Sequence, residues 1–96
     1  MNDIYTPTPI DVSSIQLSSD LEDLTEKLAE HIHDIWAAER IEQGWRHGSQ
    51  RDDGAKQHPC LVPYNQLSDD EKKFDRATAL GSLKAILALG YKIESP

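Results

Sequence analysis

The sequence predicts a mainly α-helical fold, in which two antiparallel helices are joined by a long structured loop that carries short β-strands. Apolar residues recur at helical spacing in two stretches, near residues 19–43 and 68–89. Between them lies a segment without helical periodicity that is rich in Gly, Trp, Arg and Pro. Ninety-six residues allow one domain, so we divide the chain into an N-terminal leader or extended segment, residues 1–18, and a single folded domain, residues 19–96.

The leader and the first helix follow in order. Pro7 and Pro9 favour a flexible start, after which four apolar residues are expected to pack on the core as a short extended segment: Ile10, Val12, Ile15 and Leu17. Ser19 is the expected N-cap of the first helix, and Gly44 is expected to end it in a left-handed conformation. The core face of this helix is expected to contain Leu21, Leu24, Leu28, Ile32 and Ile35.

The loop and the second helix complete the unit. Leu61 and Val62 are expected to pair as a short strand with residues 91–93. Ser68 and Glu71 form a capping-box pattern at the start of the second helix, and Gly90 marks its end. Its apolar stripe is expected to contain Phe74, Ala77, Leu80, Leu83 and Leu87, with Ile86 alongside.

Charge and composition exclude several classes of function. The formal net charge is −7, which disfavours binding to nucleic acid or to anionic membranes. No apolar run reaches the roughly 20 residues that span a bilayer, and the N-terminus does not resemble a signal peptide. The single cysteine, Cys60, excludes an internal disulfide framework and fits a reducing compartment, so we expect a cytoplasmic protein. Residues 40–60 carry four basic and three acidic residues, or +1, so the remainder carries −8.

Trp36 and Arg40 are the strongest candidates for ligand binding. They lie four residues apart and share one edge of the first helix. An indole can stack on an aromatic ring, while a guanidinium binds phosphate oxygens with its planar fork. The alternative is that Trp36 is a packing residue on which Arg40 stacks. Trp45 has the same two interpretations, and Arg46 and Arg51 are candidates for either a phosphate site or ion pairs within the loop.

The remaining polar residues do not indicate catalysis or metal binding. His31 and His33 are two residues apart on a helix and point to nearly opposite sides, so they cannot chelate one ion together. His58 and Cys60 are close in sequence, but no third group or oxyanion site accompanies them at a recognisable spacing. The segment 52–54 resembles the start of a calcium loop without its closing glutamate. We therefore expect no catalytic residue, no metal and no cofactor.

Four segments of the chain carry a resemblance to a known family: residues 28–36, 44–53, 58–64 and 83–91. With both tryptophans and several glycines and prolines in order, residues 20–93 resemble the RyR domain. This domain occurs as tandem repeats in ryanodine receptor channels and as stand-alone or fused units in bacteria. The resemblance implies a non-enzymatic regulatory or ligand-sensing module, with nucleotide-derived ligands as the leading class.

The resemblance also implies which residues would contact a ligand. Trp36 and Arg40 come first, with Trp45, Arg46, Arg51 and Tyr64 as neighbours. Because such units occur in pairs with approximate two-fold symmetry, a single repeat is expected to form a homodimer. Two hypotheses therefore remain open: a module that binds a small anionic aromatic ligand, and a protein interaction or dimerisation module without a small ligand.

Overall fold

The computed structural model describes residues 4–96 as two packed helices with a folded loop between them. Its elements, in chain order, are α1 (Ser19–Glu42), β1 (Arg46–His47), β2 (Gln57–His58), a 3₁₀ turn (Tyr64–Gln66) and α2 (Asp69–Ala88). The helices run antiparallel, since Glu22 near the start of α1 lies beside Lys84 near the end of α2, whereas Trp36 further along α1 lies beside Glu71 near the start of α2. The predicted mainly α-helical fold with short strands is confirmed.

The helix ends follow the local chemistry of the sequence. Ser18 has extended backbone angles and its hydroxyl accepts the Leu21 N–H at 3.4 Å, so the N-cap lies one residue before the predicted Ser19. The predicted capping box is confirmed, because the Ser68 hydroxyl accepts the Glu71 N–H while the Glu71 carboxylate accepts the Ser68 N–H. Gly44, with φ of +96°, follows the end of α1 as expected.

The core is small and includes one alanine from each helix. Ala29 and Ala79 are 0% and 1% exposed, and their short side chains allow the two helices to approach closely. Tyr64 and Leu67 of the loop complete this buried cluster. Partly buried neighbours pack around it: Leu28, Ile32, Cys60 and Val62. The loop therefore contributes to the core rather than merely connecting the helices.

The two predicted apolar stripes are only partly correct. In α2, Leu83 is buried, but Phe74, Ala77, Leu80 and Ile86 are exposed. The physical reason is that α2 presents Ala79 and Leu83 to α1. In this orientation Arg76 also reaches the Glu26 carboxylate on α1.

The same kind of shift occurs in α1. Ile35 is 46% exposed although it was expected in the core, while the polar His33 is buried. In the leader, Val12, Ile15 and Leu17 are half-buried, whereas Ile10 is exposed.

The predicted pairing of Leu61 and Val62 with residues 91–93 is wrong. The strands are β1 and β2, which pair in parallel with Arg46 opposite Gln57. The Val62 carbonyl does not take part in strand pairing, because it accepts a hydrogen bond from His33 Nε2 at 2.7 Å. The Tyr91 N–H bonds the Ile86 carbonyl and so closes the end of α2.

The loop is attached to the C-terminal end of α1 by two cations. Lys56 Nζ donates to the Gln43 carbonyl at 2.8 Å, and Arg46 Nη1 donates to the Ile41 carbonyl at 3.1 Å. The last carbonyls of a helix lack intrahelical partners and carry the negative end of its dipole, so both contacts are favourable. They hold the loop where its side chains face those of α1. Within residues 4–96, no helix is long and apolar enough to cross a membrane.

Two glycine substitutions test this arrangement. A Cβ at Gly48 would lie 2.6 Å from the Gln57 Cβ, so we expect Gly48→Ala to separate the strands and lower the free energy of unfolding by about 1–3 kcal/mol.

Gly81 lies inside α2 with nothing within 4 Å of its added Cβ, so Gly81→Ala should raise the free energy of unfolding by about 0.5–1 kcal/mol. Urea unfolding of both variants measures this, and equal stabilities would contradict the close approach at Gly48.

Candidate functional site

His58 of β2 joins the aromatic residues of α1 to those of the loop. Its ring meets the Trp36 ring edge-on, with centroids 5.0 Å apart, and lies 6.3 Å from the Trp45 ring. On the other side of Trp36, the His33 ring is 5.7 Å away. Two rings of α1 and two that follow this helix in the chain therefore form one continuous cluster along the C-terminal half of α1.

Arg40 contacts a different tryptophan from the one predicted. Its guanidinium lies 5.6 Å from the centroid of the Trp45 ring, and its Nη1 donates to Gln43 Oε1 at 3.0 Å. The cation–π contact holds the guanidinium beside the loop. Trp36, one helical turn earlier, instead contacts His33 and His58. Trp36 and Arg40, which were predicted to act together, thus contact different side chains: Trp36 contacts the two histidines, and Arg40 contacts Trp45.

The other predicted site residues have varied surroundings. Arg46 donates to the Ile41 and Trp45 carbonyls and so holds the end of α1. Arg51 pairs with Asp53 at 2.8 Å on the surface, where such a pair contributes little stability. Tyr64 is buried, and its hydroxyl donates to Glu26, which places it in the core.

The pKa of His58 shows how charge is distributed around the ring cluster. Burial lowers this pKa, and the positive charges of Arg51 and Arg40 lower it further. Glu71, and then Asp53 of the loop, act in the opposite direction. His58 therefore lies at a boundary, with two arginines and one carboxylate on the loop and a further carboxylate on α2.

A cavity of about 300 Å³ opens on the α2 side of this boundary. It is lined by His33, Trp36, His58, Cys60, Leu67, Glu71, Phe74 and Asp75. The sequence did not predict the α2 side of this cavity, because Phe74 was assigned to the core and Glu71 only to the helix cap. The signal was present, since Glu71, Phe74 and Asp75 recur at the i, i+3, i+4 spacing of one helix face.

Two larger depressions are less informative about function. One of about 580 Å³ lies between residues 93–96 and the start of α1, and another, of about 570 Å³, is an open surface beside Phe74. Neither contains the histidines, the thiol or a tryptophan. The cavity beside Trp36 is therefore the candidate site on the α2 side of His58. A second candidate site lies on the loop side of His58, at the contact between Arg40 and Trp45.

Two groups that line the cavity, Cys60 and Glu71, are bonded to each other, and Glu71 also bonds Ser68, the N-cap of α2. The Cys60 thiol donates to Glu71 Oε2, while the same carboxylate accepts from Ser68. The bond from Cys60, followed by that from Ser68, lowers the pKa of Glu71, so this carboxylate is charged at neutral pH. Burial, and then the bond to Glu71, raises the pKa of Cys60 to about 11. The thiol is thus protonated and acts as a donor.

The arrangement of His58 and Cys60 differs from that of a nucleophile and its base. The Cys60 backbone N–H donates to His58 Nδ1 at 3.0 Å, whereas the thiol bonds Glu71. A catalytic thiol requires a depressed pKa, and the pKa of Cys60 is raised. Within residues 4–96, no group of three or more His, Cys, Asp or Glu side chains is placed to hold a metal ion.

Two antiparallel helices with a folded loop docked along one of them define a small, mainly α-helical module. The model of the RyR domain family matches residues 5–95 of the 96-residue chain. The protein therefore belongs to the RyR domain family, as its sequence motifs indicated.

The environment of Cys60 predicts slow reaction with alkylating agents. At pH 9, an unperturbed thiol is about half ionised, whereas a thiol of pKa about 11 is about 1% ionised. Iodoacetamide should therefore modify the folded protein roughly 50-fold more slowly than the urea-unfolded chain. Glu71→Gln keeps a capping side chain but removes the charge, so it should accelerate alkylation. Equal rates for the folded and unfolded chains would contradict the buried, hydrogen-bonded thiol.

Proposed function

We propose that this RyR domain is a non-catalytic module that binds a small anionic aromatic ligand, such as a nucleotide. The site is the basic corner, which we define as Arg40, Trp45, Arg51 and His58. The observation that carries this proposal is the position of His58, which contacts two tryptophans and lies within the positive field of two arginines. An aromatic surface beside cationic groups matches both parts of a nucleotide.

Arg40 is already oriented for such a ligand. Its contact with Trp45 restricts the guanidinium, so less side-chain entropy is lost when it binds a phosphate. Among residues 4–96, Arg51 is engaged only by the exposed Asp53, a pair that a phosphate can replace at small cost. Base–aromatic stacking contributes about 1–3 kcal/mol, and Trp45, half-buried, offers the ring.

The charge of the whole chain favours binding at this corner. Residues 40–60 carry +1 while the rest carries −8, so an anion is repelled by most of the surface. The basic corner lies within a segment that opposes this trend. Electrostatics therefore direct an anionic ligand to the loop side of His58 rather than to the cavity, which contains Glu71 and Asp75.

Replacing Arg40 tests the proposal. Thermal unfolding is measured with nucleotides, cyclic nucleotides and ADP-ribose derivatives, since a ligand at 100 times its Kd adds about 2.7 kcal/mol of stability. We expect one of these ligands to raise the Tm by several degrees, and Arg40→Ala to abolish the rise. The Tm without ligand should change little, because Arg40 makes one side-chain hydrogen bond and one cation–π contact.

Lys27→Ala provides the matched control, because it removes one positive charge from an exposed position of the same helix. This control should retain the full ligand-induced rise. A rise that survives Arg40→Ala, or an unchanged Tm with every ligand, would contradict binding at the basic corner.

Assembly through α2 is the second candidate function. Five large apolar side chains of α2 and the residues after it are between 36% and 80% exposed: Phe74, Leu80, Ile86, Leu89 and Tyr91. Ile86 and Leu89 lie three residues apart on one face at the end of α2, and a second copy that covers this face would recover the burial that they lack. We expect light scattering to give the mass of a dimer, and Leu89→Asp to give the mass of a monomer. A monomeric wild-type protein at high concentration would contradict this role.

A further inference from the structure

We propose that the cavity between α1 and α2 is a second binding site, which accepts an alkylammonium cation. We call it the acidic cavity and define it by Trp36, Glu71, Phe74, Asp75 and His33. Its ligand differs in charge from the ligand of the basic corner. Cation binding at the acidic cavity is therefore independent of anion binding at the basic corner.

Aromatic rings supply two parts of the acidic cavity. Trp36 is half-buried and forms part of its wall, while Phe74 stands at its mouth and is 80% exposed. A phenylalanine this exposed is unusual when it also lines a cavity, because it gains little burial from the protein itself. Rings of this kind attract the positive face of a substituted ammonium through their quadrupole, and Trp is the most effective.

Carboxylates supply the counter-charge. Glu71 and Asp75 both line the cavity, and neither Lys nor Arg is among the residues that line it. Glu71 is charged at neutral pH, since its pKa is lowered by its bonds to Cys60 and Ser68. The lowered pKa of His58 disfavours the charged form of that ring, so it offsets little of the negative charge. The cavity therefore favours a cation and repels an anion.

His33 adds an acceptor that the fold itself does not use. Its side chain is 5% exposed, and its Nε2 donates to the Val62 carbonyl at 2.7 Å. In the neutral ring this leaves Nδ1 without a proton. Among the described residues Nδ1 makes no hydrogen bond, and it lies 4.0 Å from Asp75 Oδ2, beyond hydrogen-bonding distance. An unprotonated ring nitrogen beside a carboxylate is complementary to a donor or a positive charge.

The cation is organic rather than metallic. No three potential ligands in residues 4–96 come together around one point, and Cys60 is a protonated donor with a pKa of about 11. The volume of about 300 Å³ and the two rings suit a cation that carries alkyl groups. A bare or hydrated metal ion would gain nothing from Trp36 and Phe74.

Choline is a suitable probe, since it carries its charge on a methylated nitrogen. We would titrate the isotope-labelled full chain with choline and follow the Trp36 indole N–H by NMR. A neutral analogue, in which a quaternary carbon replaces the choline nitrogen, controls for shape and hydrophobicity. We expect choline to shift the Trp36 signal and to bind at least about tenfold more tightly than the analogue.

Variants identify the groups responsible. Asp75→Asn removes one charge without changing shape and should weaken choline binding about tenfold. Phe74→Ala removes an exposed ring, so it should weaken binding severalfold while leaving the fold intact. Asp69→Asn is the matched control, because it removes a charge from the first turn of the same helix outside the cavity, and it should leave affinity unchanged.

Three results would overturn the proposal. They are equal affinity for choline and its neutral analogue, equal weakening by Asp69→Asn and Asp75→Asn, or no Trp36 shift at about 100 mM choline. Arg40→Ala separates the two sites. It should abolish nucleotide binding without affecting choline, so each proposal can fail while the other survives.

Discussion

One hydrogen bond in the core, from His33 Nε2 to the Val62 carbonyl, holds the long loop against α1. Both groups are polar and at least partly buried, so each would lose a solvent partner without the other. The bond fixes where the chain passes after β2, and Tyr64 then enters the core two residues later. With Val62 held, Cys60 lies within reach of Glu71 on α2. Both proposed sites depend on this docking, because each combines loop and helix residues.

A single carboxylate then connects all three parts of the molecule. Glu26 of α1 accepts from Tyr64 of the loop at 2.9 Å and from Arg76 of α2 at 2.7 Å. The bond from Arg76 contributes most to the lowered pKa of Glu26. Ala79 and Leu83 are the buried residues of α2, and the Arg76 contact forms in this orientation. The same orientation leaves Phe74 exposed and places Glu71 and Asp75 at the cavity.

Opposite charges are separated across one ring. Arg40 and the Arg51–Asp53 pair lie on the loop side of His58 with a net positive charge, and Glu71 lies on α2. The lowered pKa of His58 disfavours its charged form, and its ring, edge-on to Trp36, lies between the two groups of charges. RyR domain membership establishes the family of the chain, whereas this charge separation is a property of its own side chains. It explains why an anion and a cation are proposed for adjacent positions.

The sequence by itself determined the helical framework, because capping, glycine termination and helical periodicity are local effects. Ser68 with Glu71, and Gly44 at the end of α1, could be interpreted without any distant contact. The family motifs were equally visible. The orientation of α2 was decided only by tertiary structure, because its apolar residues occupy more than one face and the burial of Ala79 beside Ala29 selects among them. The same holds for the partner of Arg40 and for the pairing of β1 with β2, since each requires residues whose proximity depends on loop docking.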